Sequence, residues 1–199
     1  MPHDVGRPRS VQPVRENGAD MNVTRLFQIT KPVRSILCAV VCAILSHFPA
    51  EATQRVAVFA FEIQHGDLVQ GAPDHRTAEE KRLIMISERL REHLAASGLS
   101  MVDIGPVAEK AAATNLRSCS ACADGWAQEL GADYAITGVV NKVSELILSM
   151  NVRVHDAATA TPLTSAAVDF RGNTDESWRR AIDYLYKNLL WPRLEKLKK

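Results

Sequence analysis

The chain has 199 residues, 46% of them apolar, and a formal net charge of +1 at pH 7. This length and apolar content suit one domain with a hydrophobic core. Residues 53–199 contain 18 basic and 19 acidic residues, a net charge of −1, so the composition does not favour binding to nucleic acid or to an anionic membrane surface.

The beginning of the sequence has the pattern of a leader followed by a secretory signal peptide, which we assign to residues 1–52. Residues 1–20 are polar and rich in Pro, Arg and Gly, a composition typical of disorder, so Met21 is the expected start. A basic stretch precedes the apolar run at residues 36–45, and Ala-Glu-Ala follows as the small-residue cleavage pattern. We predict cleavage after Ala52 and export to the periplasm.

The apolar run is too short for a membrane anchor, because a spanning helix needs about 20 apolar residues. We therefore expect no stable membrane span after cleavage. Cys38 and Cys42 each follow a large apolar residue, whereas a lipoprotein signal requires a small residue there, so no lipid anchor is expected. Cys119 and Cys122 remain in the mature protein, an even number of thiols in an oxidising compartment.

The first part of the mature chain begins with a short apolar stretch at residues 55–61, which predicts a buried strand. Residues 64–77 are rich in Gly, Pro and His and predict an exposed loop. His65 and His75 in this loop are candidate metal ligands. Two loop histidines more often face solvent, so no metal site is expected.

Helices and strands then alternate. Residues 78–97 carry apolar side chains at three- and four-residue steps, which predicts an amphipathic helix. A short strand is expected at 99–104, followed by a short helix at 107–113 that Pro106 opens. A further short helix is expected at 123–130.

The second half of the domain predicts a strand meander and a final helix. Residues 134–140 form the expected central strand, and residues 146–154 and 163–170 are expected to pair as a hairpin. Asn173 is the expected cap of the final helix, with Glu176 reaching back to its amide. That helix should present four apolar side chains on one face and end or kink at Trp191-Pro192: Trp178, Ile182, Leu185 and Leu189.

The predicted order of elements is β-α-β-α-α-β-β-β-α. It indicates an α/β (α+β) fold with a single mixed sheet of about five strands and helices packed on it. Residues 53–199 should form one such domain. The early strands should pair in parallel through right-handed crossovers.

Several short motifs resemble those of known envelope domains. A strand at Val56–Phe59, Gly-Ala-Asp-Tyr-Ala-Ile-Thr-Gly at 131–138 and a strand ending in His155-Asp156 resemble the amino-terminal domain of TolB and the related domains of CsgG and LpoB. Where such domains often have Gly in the following turn, this chain has Ala160. The resemblance implies docking within envelope assemblies and gives no catalytic residues.

A closer resemblance concerns the Cys-x-x-Cys segment and the run from Gly172 to Trp178. Both are similar to an uncharacterised family of small exported bacterial proteins, known as a domain of unknown function. This resemblance covers most of residues 55–190.

Cys119 and Cys122 are the candidate chemical site. A cysteine at a helix N-terminus has a stabilised thiolate, as redox enzymes use. Thioredoxin-type motifs directly follow a strand, however, whereas this pair follows a helix and a turn. Ala123 stands where haem attachment needs His, and zinc would need two more ligands. We therefore expect a structural disulfide, and a redox role is the alternative.

The other candidate residues have simpler interpretations. Trp126, Trp178 and Trp191 stand at helical spacing beside aliphatic residues and are interpreted as core. Asp175 and Glu176 are paired carboxylates, but a helix start explains them as capping residues. No catalytic residue, cofactor or metal ligand is assigned.

The leading functional hypothesis is a non-enzymatic periplasmic protein that docks onto an envelope protein partner. The alternative is a thiol–disulfide accessory protein that uses Cys119 and Cys122 and serves a periplasmic oxidoreductase system. A third hypothesis is a small-ligand carrier with a pocket beside residues 64–77.

Overall fold

The computed structural model describes residues 53–66, 73–119 and 121–197, with the backbone alone at 73–75. The predicted leader and signal peptide lie outside these residues, so the cleavage site stays a prediction. Within the described part, none of the helices combines the length and apolar content that crossing a bilayer requires.

The described residues form one sheet with helices on both of its faces. The strands are β1 Arg55–Val58, β2 Glu62–His65, β3 Ser100–Met101, β4 Tyr134–Lys142, β5 Ile147–Asp156 and β6 Pro162–Arg171. The helices are α1 Pro73–Ala96, α2 Ala108–Ala112, α3 Cys122–Glu129, α4 Asp175–Tyr184 and α5 Trp191–Leu197. A 3₁₀ turn at Gly105–Val107 precedes α2, and a π-helical segment at Leu185–Leu190 joins α4 to α5.

Strand β4 lies at the centre of the sheet, as the sequence predicted. The strand order is β3-β1-β4-β5-β6, and β2 pairs with β4 beyond the end of β1. The pairs β1–β3, β1–β4 and β2–β4 are parallel, whereas β4–β5 and β5–β6 are antiparallel. The predicted mixed sheet, the parallel early strands and the hairpin are thereby confirmed.

The predicted loop at 64–77 was wrong at both ends. Gln64 and His65 belong to β2, and α1 already begins at Pro73. The chain leaves the sheet only briefly after β1, because Phe61 donates its amide to Ser87 Oγ at 2.9 Å and places its ring over Gly138. The chain then pairs with β4 as strand β2, the sixth strand of the sheet. The sequence did not predict β2, because four residues are too few to show a clear alternation of apolar and polar side chains.

The main core lies between one face of the sheet and helices α1, α4 and α5. The inward face of β5 is fully buried, and so are three residues of α1 that the helical spacing predicted: Ile86, Leu90 and Leu94. Each large aliphatic side chain buried in this way contributes about 1.5–3 kcal/mol before entropy is counted. This core holds the helices on the sheet.

The last helices differ from the prediction in two details. Thr174, and not Asn173, caps α4: its Oγ1 accepts from Ser177 N and its amide donates to Ser177 Oγ, each at 3.2 Å. The π-helical segment then shifts the buried face by one residue, because a π turn places residues five apart on the same side. Leu190 is therefore fully buried, while Leu189 is only half-buried.

On the opposite face of the sheet, the described helices cover only β1 and the start of β4. There α2 and α3 enclose a small core that includes Phe59, Val107 and Ala127. The outward side chains of β4, β5 and β6 extend beyond this layer and are mostly half-buried or exposed. We call this uncovered surface of the three strands the open face.

Strand β6 forms one edge of the sheet. It begins with Pro162, and the Arg193 guanidinium of α5 donates a hydrogen bond to the carbonyl of Ser165. Both features lie on the side of β6 that has no neighbouring strand in the described fold.

Candidate binding cleft beside the disulfide

Cys119 and Cys122 are joined by a disulfide, with their Cα atoms 5.5 Å apart. Cys122 is the first residue of α3, so the bond ties the start of that helix to the preceding loop. Both side chains are half-buried. The loop and the disulfide together form a wall beside the open face.

This wall is also held at points other than the disulfide. Glu62 of β2 accepts the amide of Leu116 at 2.7 Å, and Gln64 accepts a hydrogen bond from the Arg117 guanidinium. Asn115 Oδ1 accepts the amide of Arg117 at 3.1 Å, which closes a turn at the start of the loop. The loop is therefore fixed to the sheet by several side chains.

His155 stands across from the disulfide at the end of β5. Its Nδ1 lies 3.2 and 3.1 Å from the two carboxylate oxygens of Asp124, a residue of the first turn of α3. The Asp124 side chain is only 4% exposed, and that of His155 is 24% exposed. A bulge in the β5–β6 pairing beside His155 breaks the regular alternation, as bulges near binding sites often do.

A cleft opens between this wall and β5. A cavity of about 110 Å³ is lined by Cys119, Asp124 and His155 together with Arg117, Thr137 and Arg153. A second cavity of about 370 Å³ continues from Arg153 and His155 toward the start of β6. The cleft therefore combines two arginines, a histidine–aspartate pair and Cys119 of the disulfide.

Sequence reasoning selected Cys119 and Cys122 as the candidate site, noted His155-Asp156 only as part of a resemblance, and missed the residues that surround them. Asp156 itself lies outside this cleft's lining: its Oδ1 accepts the amides of Ala158 and Thr159 at 3.0 and 2.9 Å in the β5–β6 turn. The hydrogen bonds from Thr159 lower the pKa of the Asp156 carboxyl. Asp124, 31 residues away from His155, has no local sequence signal that pairs them.

Of the two candidate metal ligands, His65 has a described side chain, and it pairs with a carboxylate. His65 Nε2 lies 2.8 Å from Glu79 Oε2, and the side chain of His75 is outside the described residues. Within the described part of the chain, no group of three or more His, Cys, Asp or Glu is placed to hold a metal ion.

The three tryptophans pack against the two cores, as interpreted from the sequence. Trp178 is fully buried in the main core, and Trp191 packs on its edge. Trp126 packs on the smaller core, with its ring 6.2 Å from that of Phe59.

A buried ionic cluster was not anticipated from the sequence. Lys142 is fully buried, and its Nζ donates to Glu79 Oε1 at 2.6 Å and to Glu145. Asn173 Nδ2 donates to both carboxylates at 2.9 Å, and His65 completes the set. The signal that could have revealed it is a lysine at the inward position of β4, two residues beyond Val140.

The charges of this cluster hold one another ionised. Burial by itself lowers the pKa of Lys142, but hydrogen bonds from its ammonium to Glu145 and Glu79 outweigh this and raise the pKa. Burial raises the pKa of Glu79, and the hydrogen bonds with Lys142, His65 and Asn173 more than reverse it. A lysine with a raised pKa is a poor nucleophile at neutral pH, so the cluster suits a structural role.

The sequence matches a family model over most of the described domain. The model, DUF3280, is described as a protein of unknown function (DUF2380), and it matches residues 54–190. The chain belongs to this family. The resemblance first noted at Cys119–Cys122 and at the start of α4 is thereby confirmed. No curated protein matches the sequence significantly.

Solved structures similar in fold include bacterial proteins with low sequence identity. The LpoB C-terminal domain from Salmonella enterica is 16% identical, with a TM-score of 0.42, covering 65% of this chain and 90% of that one. Lipoprotein GNA1162 from Neisseria meningitidis is 16% identical, with a TM-score of 0.44, covering 68% and 98%. PelC from Paraburkholderia phytofirmans, a dodecamer, is 14% identical, with a TM-score of 0.40, covering 67% and 86%. Likeness at this level says nothing of what this chain binds.

Proposed function

We propose that this protein is an exported, non-enzymatic docking module of the cell envelope that works in the periplasm. The observation that carries the proposal is the open face of β4, β5 and β6, with its preformed cleft. A domain that leaves half of one sheet face uncovered beside a fixed wall presents a rigid surface to a partner protein. Cleavage and export by the predicted signal peptide would bring this surface to the envelope.

The polar groups of the cleft support binding more than turnover. The sulfur of Cys119 is held in the disulfide, and the carboxylate of Asp124 is occupied by His155. Arg117 is likewise engaged, with its Nε 3.6 Å from Glu62 Oε2. These contacts hold the side chains in place and leave the shape of the cleft fixed.

Site-specific photo-crosslinking in living cells tests the docking proposal. A benzophenone amino acid is introduced at Ala167, which is exposed on the open face, and as a matched control at Arg180, which is exposed on α4. We expect one defined envelope protein to be captured from Ala167 and not from Arg180. Capture of nothing, or of the same mixture from both positions, would contradict the proposal.

Export is tested separately, by the intact mass of the protein recovered from the periplasm. The proposal requires a chain that begins at residue 53. A recovered chain that still contains residues 36–45 would show that the segment is an anchor.

A second candidate function is thiol–disulfide exchange, favoured by the position of Cys119 in the same cleft as His155 and Asp124. A partner thiolate would attack Cys119 Sγ, break the disulfide and release Cys122 as a thiolate at the N-terminus of α3, where the helix dipole stabilises negative charge. The partner's second thiol would then resolve the mixed disulfide, leaving the partner oxidised and this protein reduced. A reduction potential well below about −300 mV would rule this function out.

A further inference from the structure

Arg153 lies at the middle of the open face and contributes to every part of the cleft. It lines the cavity beside the disulfide, the cavity toward the start of β6 and a small third cavity near Asn151. Arg153 is on β5, directly opposite Thr137 of β4 and Ser165 of β6. Both neighbours carry neutral hydroxyl groups.

The positive charge of Arg153 is not balanced by any described residue. Arg153 is exposed and makes no hydrogen bond or ion pair within the described part of the chain. The two carboxylates that line these cavities already have partners, because Asp124 pairs with His155, and Glu62 accepts the Leu116 amide and pairs with Arg117. A group entering the cleft therefore meets an unpaired guanidinium.

The chemistry around Arg153 fits a carboxylate. A guanidinium binds a carboxylate through two parallel hydrogen bonds, a geometry that a lysine does not offer. Thr137 and Ser165 flank Arg153 on the two adjacent strands, whose backbones lie about 5 Å away on each side, and each hydroxyl can donate a further hydrogen bond. Three donors thus line one row across the sheet.

From this arrangement we infer that the cleft recognises an acidic side chain in a protein segment that lies across β4, β5 and β6, with Arg153 as its main anchor. The inference rests on the proposed docking function and supplies the chemistry of the partner. These donors favour a protein segment as the occupant. Its acidic side chain can bind Arg153, while its backbone and other side chains contact the rest of the open face.

Calorimetric titration of the protein recovered from the periplasm tests the inference. The probe is an acetylated tetraglutamate peptide, and the matched control is acetylated tetraglutamine. We expect binding of the glutamate peptide alone, weakened at least tenfold by Arg153→Gln and less by Arg153→Lys. Arg180→Gln removes another exposed arginine, on α4, and should leave binding unchanged.

Three outcomes of the titration would overturn the inference. They are no binding of the glutamate peptide to the unaltered protein, equal binding by the Arg153→Gln variant, or equally strong binding of inorganic phosphate, which would indicate a general anion site. Thermal unfolding of each variant shows whether the fold is kept, as expected for an exposed side chain. Crosslinks from Ala167 that persist in Arg153→Gln at full strength would leave the docking function intact and contradict the role of Arg153.

Discussion

Ala160 lies in the β5–β6 turn with φ of 54°, the left-handed region in which a Cβ atom is strained. It is the residue where the sequence departs from the glycine of similar domains. Asp156 and Thr159 fix the turn by hydrogen bonds, so the backbone keeps this conformation despite the strain. The sequence showed only that alanine replaces the usual glycine, and the structure shows that the backbone keeps the left-handed conformation there.

Ala160→Gly should stabilise the protein. Relief of left-handed strain gains about 1–2 kcal/mol, and the greater freedom of glycine in the unfolded chain offsets about half of it. We expect a net gain of about 0.5–1 kcal/mol and a melting temperature higher by about 2–4 °C. Ala158→Gly, in the same turn, is the control and should lower the melting temperature. A lower melting temperature for Ala160→Gly would contradict the strain.

Gly138 is required by the ring of Phe61. A Cβ atom at residue 138 would lie 2.3 Å from Phe61 Cε1, and the Phe61 side chain is 4% exposed and cannot move freely. Gly138→Ala should therefore destabilise the protein by about 1–3 kcal/mol in denaturant unfolding. Gly125→Ala places the same methyl group in α3 with nothing within 4 Å, and should be neutral or stabilising.

At the scale of elements, the disulfide joins a loop to the start of α3. Replacing both Cys119 and Cys122 by Ser should lower the free energy of unfolding by about 2 kcal/mol, because the closed loop is very short. The circular dichroism spectrum should not change. Crosslinking from Ala167 in this variant separates the two candidate functions: retention supports a structural disulfide, and loss in a folded protein supports exchange.

The sequence predicted those elements whose pattern is local. The period-two alternation of β5 and the helical spacing of α1 each lie within one continuous segment. The same holds for the Gly-Ala-Asp turn at residues 131–133 that precedes β4. By contrast, β2 exists because it pairs with β4, and the cap of α4 depends on which of three neighbouring polar residues meets the helix amides. Where the local sequence allows two structures almost equally well, contacts with the rest of the fold determine which one forms.

The candidate site was predictable only in part, for the same reason. Cys119 and Cys122 are close in sequence and were found from their spacing. The contacts that form the cleft join residues that are far apart in sequence and were not found. Asp124 meets His155 over 31 residues, and Arg117 meets Gln64 over 53. Arg153 has no local signal, since an arginine at an outward strand position is ordinary until its neighbours are known.

At the scale of the whole molecule, the buried Lys142 cluster joins five segments: β2, α1, β4, the β4–β5 turn and the β6–α4 turn. Breaking a buried ion pair leaves an uncompensated charge, which costs about 3–5 kcal/mol. Since Glu145 also holds Lys142, Glu79→Gln should cost about 3 kcal/mol at pH 7, measured by chemical denaturation. Glu176→Gln removes an exposed carboxylate and should change stability by less than about 0.5 kcal/mol.

Acid should weaken the protein through the same carboxylate. The pKa of Glu79 is lowered from its ordinary value of 4.5, because its hydrogen bonds outweigh the effect of burial. Its contribution to stability is therefore complete above pH 4.5 and is lost as pH falls through the lower pKa of the folded state. The pKa of Asp183 is lowered too, because its hydrogen bonds to Arg89 and His93 outweigh the opposing effect of burial. Glu79→Gln lacks the carboxyl group that titrates. The free energy of unfolding, measured from pH 6 to pH 3, should therefore decline more steeply for the unaltered protein than for Glu79→Gln. Parallel curves would contradict this assignment.

Strand β6 exposes the side of the sheet to which an extended chain from another molecule could add as a further strand. Its first residue, Pro162, has no amide hydrogen to give, and the guanidinium of Arg193 already occupies the carbonyl of Ser165. Arg193 of α5 and Pro162 thereby reduce the backbone groups that β6 offers for edge-to-edge pairing between two copies of this chain. Under the proposed docking function, a partner would contact the open face of β4, β5 and β6, where side chains and not backbone groups determine which protein binds.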